Sequence, residues 1–582
     1  MLGSSLCRAF PLLSAALCLA KDGSAAVSDS NSFPLLIEAG LEDLASGLES
    51  GLFTSVDLVN AYIARINEVN STLRMVTQIN PDALLIAADL DAARAAGTSH
   101  GPLHGIPILL KDSIATDDKM ENTAGSYALL GARVPEDSTV VAKLREAGAV
   151  ILGKTSLSQW AHFRSLNTSN GWSAIGGQTE GAYFPRQDPS GSSSGSGVAS
   201  SLGLALAALG TETHGSILGP ASSNNLVGIK PTVGLTSRYL VVPISEHQDT
   251  IGPIARSVKD AAYVLSAIAG VDPKDNYTSV IPFETIPDYV AACDPSALSG
   301  KRIGVPRNLI DPRSPLVDPI IAAFNAALET LREANATVID DLILPGYEPV
   351  TRGNFERYVV GADSVTNLAG YFSQLTTNPH NITSLAELRS FTQSHPLEAW
   401  PERDTLLWDE VLSIGHGNND SPFFWSNYTA QLYFAGPLGI TGALANHSLD
   451  ALVLPTYFAP ALPAMIGAPV VTVPLGKFSE STPVAWNGFG NLVVMAPNVP
   501  FGISFLGERF SEERLIGLAY AFEQRTKVRA TVEPYIKPET ELADVVTRRM
   551  AMAATQEGGS VIRFAFNGVV LAVCFLWFVF IY

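Results

Sequence analysis

The 582-residue chain has little that would commit it to redox or metal chemistry. It holds four cysteines, Cys7, Cys18, Cys293 and Cys574. Three of them lie in terminal segments that read as removable, so Cys293 is expected to stand alone and no internal disulfide is expected. No Cys/His cluster has ligand spacing and no His-Glu-x-x-His occurs, so neither a metal nor a cofactor is expected. Charge is scarce, at 16% of residues, and unbalanced, with 37 basic against 56 acidic side chains and a net charge of −19. Such a surface repels phosphate backbones, so nucleic acid is not an expected partner. With 47% hydrophobic residues the chain can bury a large core, and disorder is excluded as its general state.

Apolar runs at the two ends read as processing signals. Arg8 precedes an apolar stretch from Ala9 to Ala20, with small residues at Cys18 and Ala20 or at Ser24 and Ala26. This is the pattern of a secretory signal peptide over residues 1–20, followed by a flexible lead-in over 21–35. At the other end, 546–582 reads as spacer and tail. Gly558-Gly559-Ser560, a short spacer and the apolar run Val569 to Tyr582 match the attachment signal of a GPI lipid anchor. A transmembrane helix from Phe564 to Tyr582 is the alternative that length allows. Asn70, Asn167, Asn276, Asn335, Asn381, Asn419, Asn427 and Asn446 each begin an Asn-x-Ser/Thr sequon. The expectation is a glycosylated protein of the secretory pathway, extracellular or at the cell surface, attached to membrane through its tail.

Between these ends, residues 36–545 read as a single domain. Val56, Val59, Ile63, Ile66 and Val69 recur at helical spacing behind Thr54 or Ser55 as cap. Asp137 to Ala147 and Ile320 to Ala334 read as helices, followed by the strand-like runs 149–152 and 337–339. Ala451 to Leu454 and Val470 to Val473 read as buried strands. This alternation predicts an α/β fold. The region from about 350 to 450 lacks the alternation, is rich in aromatics, and is read as a cover over a substrate channel.

Three segments carry chemistry. The run Ile106-Pro107-Ile108-Leu109-Leu110 ends in Lys111-Asp112; Ser190-Gly191-Ser192-Ser193-Ser194-Gly195-Ser196 follows later; Gly210-Thr211-Glu212-Thr213-His214-Gly215-Ser216-Ile217 comes next. A serine hydroxyl needs a base, and a lysine desolvated behind an apolar strand loses its proton readily enough to serve. Lys154 also follows an apolar strand and is a rival base. Gly191-Ser192-Ser193-Ser194-Gly195 satisfies Gly-x-Ser-x-Gly, but the two prolines in 183–189 leave no strand before it, which that nucleophile elbow requires. His214 is too close to Ser216 along the turn to reach back to its hydroxyl and reads as a pocket residue.

These segments, with 157–165, Gly228-Ile229-Lys230-Pro231-Thr232 and Gln248-Asp249-Thr250-Ile251-Gly252-Pro253, resemble the amidase signature family over residues 36 to 530. The similarity is greatest to its peptide amidase branch. The resemblance implies a three-layer α/β/α sandwich around a mixed, mainly parallel sheet and hydrolysis of carboxamides through an acyl-serine. It implies Ser216 as nucleophile, Ser192 as bridging serine behind a cis peptide, and Lys111 as base. The glycine-bearing turn from Thr213 to Ser216 can aim several backbone N–H groups at one point, so oxyanion or substrate binding is expected at Thr213, His214 and Gly215. Expected substrates are small-molecule or peptide amides, with C-terminal peptide amides suggested and aryl or fatty-acyl amides left open. A tRNA-linked amidotransferase subunit resembles the same family, but the terminal segments and acidity argue against it. A non-catalytic surface protein on the same fold is the remaining alternative. The sequence departs from the family pattern at Ser190, Ser194, Glu212, His214 and Leu218.

Overall fold

The computed structural model describes residues 33–312, 317–414 and 417–552. The expected signal peptide, nearly all of the lead-in and the apolar tail lie outside the described residues. Among the described residues no helix is long and apolar enough to cross a membrane.

Eleven strands form one sheet: β1 (Val76–Ile79), β2 (Pro107–Lys111), β3 (Val150–Thr155), β4 (Ala207–Glu212), β5 (Val227–Lys230), β6 (Thr250–Ala255), β7 (Arg302–Pro306), β8 (Thr337–Leu342), β9 (Ala451–Pro455), β10 (Val470–Lys477) and β11 (Pro500–Leu506). Their order is β1-β3-β2-β4-β6-β5-β10-β11-β9-β7-β8. The sheet is mixed, as expected. Its parallel pairings form two blocks, β3-β2-β4 and β9-β7-β8, and these flank an antiparallel centre. Strands in the first block are buried along their whole length, which is why they read as continuous apolar runs rather than alternating ones.

Helix α1 (Ser55–Leu73) starts where expected. Thr54 accepts from the Asp57 amide while the Asp57 carboxylate accepts from the Thr54 amide, satisfying two otherwise unpaired donors. Among the helices that follow are α2 (Ser194–Ser201), α3 (Leu218–Ser223), α4 (Val258–Ile268), α5 (Asp318–Glu333), α6 (Phe355–Ser373), α7 (Leu406–Ile414), α8 (Pro422–Ala435) and α9 (Glu512–Thr526). They pack on the sheet in two groups, α2 with α3 and α4 and α5 with α9, which gives the three-layer α/β/α arrangement. The 350–450 region is helical, built around α6, α7 and α8. The packed body also runs past the expected boundary at 545: residues 542–552 are helical, with Leu542 and Val546 buried in the core.

Parallel pairing positions the chemistry. Leu110 lies opposite Leu209, so Lys111 and the turn after β4 emerge at the same, carboxyl end of the block. On the other side of β2, Leu110 lies opposite Lys154 and Lys111 opposite Thr155. Successive side chains alternate between faces, so the two buried lysines project from opposite sides of the sheet.

Candidate functional site

Ile108, Leu109 and Leu110 are fully buried and drive Lys111 inward with them. Each such side chain contributes about 1.5–3 kcal/mol on burial, enough together to offset sequestering an amine that can shed its charge. The Lys111 Nζ lies 2.7 Å from Ser192 Oγ, 3.0 Å from Ser193 Oγ, 2.8 Å from Thr211 Oγ1 and 3.1 Å from the Thr211 carbonyl. The carbonyl can only accept, which commits one N–H to it, while the hydroxyls can donate to or accept from the nitrogen. Burial lowers the Lys111 pKa to about 7, against the nearby carboxylates of Asp249 and Glu212. The neutral amine is therefore well populated at physiological pH, and a proton acceptor faces Ser192.

Ser192 is fully buried, and the Gly191–Ser192 peptide bond is cis, as the resemblance implied. Ser193 opens the turn into α2; its amide donates to the Ser216 carbonyl at 3.2 Å, which fastens the two serine segments together. Among the described residues no hydrogen bond joins the Ser192 and Ser216 hydroxyls directly. Catalytic hydrogen bonds in unliganded sites are often long and tighten only around substrate. The α2 backbone approaches β3 so closely that a Cβ at Gly195 would meet the Met75 carbonyl at 2.3 Å and the Ser156 backbone at 2.6 Å. Only glycine fits there.

The turn from Thr213 to Ser216 is held open by its flanks. The Glu212 carboxylate accepts from the amides of Ile217 (2.7 Å) and Leu218 (3.0 Å), clasping the chain beyond the turn to the end of β4. Gly215 has φ +76°, a left-handed conformation that favours glycine. Among the described residues the amides of His214, Gly215 and Ser216 donate to no protein acceptor. Such free donors on a short turn are what an oxyanion needs. The Thr213 hydroxyl donates to Asp249, whose other oxygen accepts from the Ile244 (2.7 Å) and Ser245 (3.0 Å) amides.

His214 Nδ1 lies 2.8 Å from Glu356 Oε1, at the start of α6. The Glu356 carboxylate raises its pKa to about 9, which favours the cationic imidazole and makes it a poor acceptor for the Ser216 proton. The rival base is occupied elsewhere: Lys154 Nζ donates to the Ile114 carbonyl (2.5 Å) and to Asn122 Oδ1 (2.9 Å), on the face of the sheet away from the serines. The elbow reading fails on geometry, since no strand leads directly into residue 191.

Ser216 opens into a cavity of about 630 Å³ lined by apolar groups such as Phe163, Leu407, Val411 and Met465, with His214 and Glu356 among its polar walls. Leu407 and Val411 come from α7, so the 350–450 region does form one wall of a channel. Sequence reasoning missed Thr211 as a contact of Lys111 and Glu356 as the partner of His214. Glu356 lies 142 residues from His214 in the chain, and no local pattern announces it.

The fold also gathers Glu246, His247 and Asp363 within 4.8 Å of one another, which linear spacing did not reveal. Their atoms are engaged: His247 Nδ1 lies 2.9 Å from Asp363 Oδ2, Ser245 donates to Asp363, and Asn419 donates to Glu246 and Asp363. The group is a hydrogen-bonded clamp between α6 and the loop before β6. Among the described residues Cys293 is a free thiol.

A family model described as Amidase matches residues 57–516. A protein named "Putative amidase" from Arthroderma benhamiae is 52% identical over 560 residues, covering 91% of this chain and 93% of that one. The structure of native peptide amidase from Stenotrophomonas maltophilia superposes with a TM-score of 0.76 at 39% identity, over 86% of this chain and 99% of that one. A structure of the peptide amidase PAM bound to the competitive inhibitor chymostatin superposes equally well, with a TM-score of 0.76 at 40% identity over 84% of this chain and 98% of that one.

Proposed function

This chain belongs to the amidase family and is a hydrolase of amide C–N bonds, and from that premise we propose that it works by a Ser-Ser-Lys relay on peptide carboxamides. The observation that carries the relay is the buried Lys111 amine, 2.7 Å from Ser192 and poised near pH 7 to take a proton. Ser192 passes its proton to Lys111 and receives one from Ser216. Ser216 Oγ then bonds to the substrate carbonyl carbon, and the oxyanion forms against the free amides of the His214–Ser216 turn. The proton returns through Ser192 to the nitrogen, the C–N bond breaks and the amine leaves. Water then attacks the Ser216 ester by the same route and releases the acid.

Peptide acyl groups are favoured by the neighbouring peptide amidases and by a channel with apolar walls and a charged pair, which suits a chain with alternating side chains and carbonyls. The test is a screen of primary amides that varies only the acyl group. Amidated peptides are expected to turn over faster than fatty or aryl carboxamides; preference for a fatty amide would overturn the peptide assignment.

We place the protein in the secretory pathway on its terminal patterns and sequons. Asn276, Asn381 and Asn446 are exposed and fit to carry glycans, whereas both amide atoms of Asn70 are committed to Val76. Treatment of intact cells with a phosphoinositide-specific lipase is expected to release the activity; retention in the membrane would exclude the lipid anchor.

A further inference from the structure

A second cavity, of about 660 Å³, adjoins the one that Ser216 faces. The two share Asn170, Gly191 and His214, so they meet at the turn that carries the free amides. A primary amide releases only ammonia, which needs no room of this size. We propose that this second cavity holds a substituent on the amide nitrogen, so that the enzyme cleaves N-substituted amides with aromatic or bulky apolar amine groups as well as primary ones. The inference rests on the acyl-Ser216 reading and extends it to the leaving side of the bond.

The side is assigned by the relay. Ser190 and Gly191, which lead directly into Ser192, line this cavity, and Ser192 is the group that returns the proton to the departing nitrogen. The acyl part then occupies the cavity that contains Ser216 itself. The walls of the second cavity fit an aromatic amine. Phe478 and Phe501 pack edge to face, with centroids 5.2 Å apart and planes at 71°. Trp486 and Tyr457 stand at its rim with 48% and 66% of their surface exposed. Arg186 lies 4.8 Å from the centre of the Trp486 ring and bonds the Asn491 carbonyl, which steadies that ring. An exposed tryptophan braced in this way offers a flat apolar face to a ring entering beside it.

The step balances as the primary-amide reaction does. Ser216 Oγ bonds to the acyl carbon, the C–N bond breaks, the amine leaves carrying the proton from Ser192, and water later cleaves the ester. No co-reactant is required.

The experiment holds one peptidyl acyl group fixed and compares its primary amide with its N-benzyl amide. In the wild-type enzyme, kcat/KM for the N-benzyl amide is expected within about tenfold of that for the primary amide. Gly488→Trp fills the cavity from its wall, where an added Cβ meets no atom within 4 Å and the backbone needs no left-handed conformation. This variant is expected to lower kcat/KM for the N-benzyl amide by about tenfold or more while leaving the primary amide within about twofold. Trp486→Ala is expected to raise KM for the N-benzyl amide alone. An N-benzyl amide cleaved more than about tenfold slower than the primary amide by the wild type overturns the inference and leaves the acyl-serine reading standing. So does a Gly488→Trp variant that slows both substrates equally. Failure to cleave any amide, with no labelling by a fluorophosphonate, would instead bring down the reading on which it rests.

Discussion

Replacing Ser216 with alanine is expected to abolish amide hydrolysis, with kcat falling on the order of 10⁶-fold, and to eliminate labelling by a fluorophosphonate probe. Among the serines near Lys111 in the described residues, Ser216 combines access to a substrate cavity with neighbouring amides that have no protein acceptor. Ser192 and Ser193 are fully buried, and both hydroxyls face Lys111. Ser193→Ala is the control. It removes one of the hydroxyls around the lysine amine but leaves the Ser192 contact, so labelling should persist. Mass spectrometry of the labelled peptide decides the matter: adduct on residue 192 or 193 would refute the assignment of the nucleophile.

Lys111→Met carries the second large effect. The substitution keeps the length and apolar stem of the side chain and removes only the amine. Acylation is expected to slow by about 10²–10⁴-fold, the range that a positioned base contributes. In the wild type, kcat/KM should rise with pH through about 7 and then level off, because the reactive form is the uncharged amine. In the variant this limb should vanish. Stability should move the other way. A lysine whose pKa is lower folded than unfolded opposes folding, and it does so increasingly as pH falls from the unfolded value near 10.5 to about 7 and fully below that. Lys111→Met should therefore melt at or above the wild-type temperature, with the larger gain at acid pH. A folded variant that keeps both the rate and the pH limb would remove Lys111 from the relay.

The His214 finding narrows the choice of base independently. An imidazole two residues from the nucleophile is an obvious rival, yet Glu356 favours its cationic form up to about pH 9. Its charge faces the substrate cavity, where it can orient a carbonyl but is a poor acceptor for the Ser216 proton.

Much of this was legible in the chain because local physics wrote it there. The apolar runs at 107–110, 150–152 and 451–454 marked buried strands, since only residues closed off on both faces are apolar without interruption. The Thr54 and Asp57 pair marked the start of α1, and the glycines of 191–195 and 215 marked places where backbone must approach backbone or turn left-handed. Which lysine meets the serines was not written locally. Lys111 and Lys154 each end an apolar run, and both are fully buried with lowered pKa values. Strand register separated them, because a residue's face depends on the partner it lies opposite, and that pairing spans some forty residues. The same holds for Glu356 beside His214, the clamp of Glu246, His247 and Asp363, and the second cavity at the turn. Each is an encounter between segments 100 or more residues apart, where sequence patterning has no reach and only the packing of the cover helices and the sheet determines what meets.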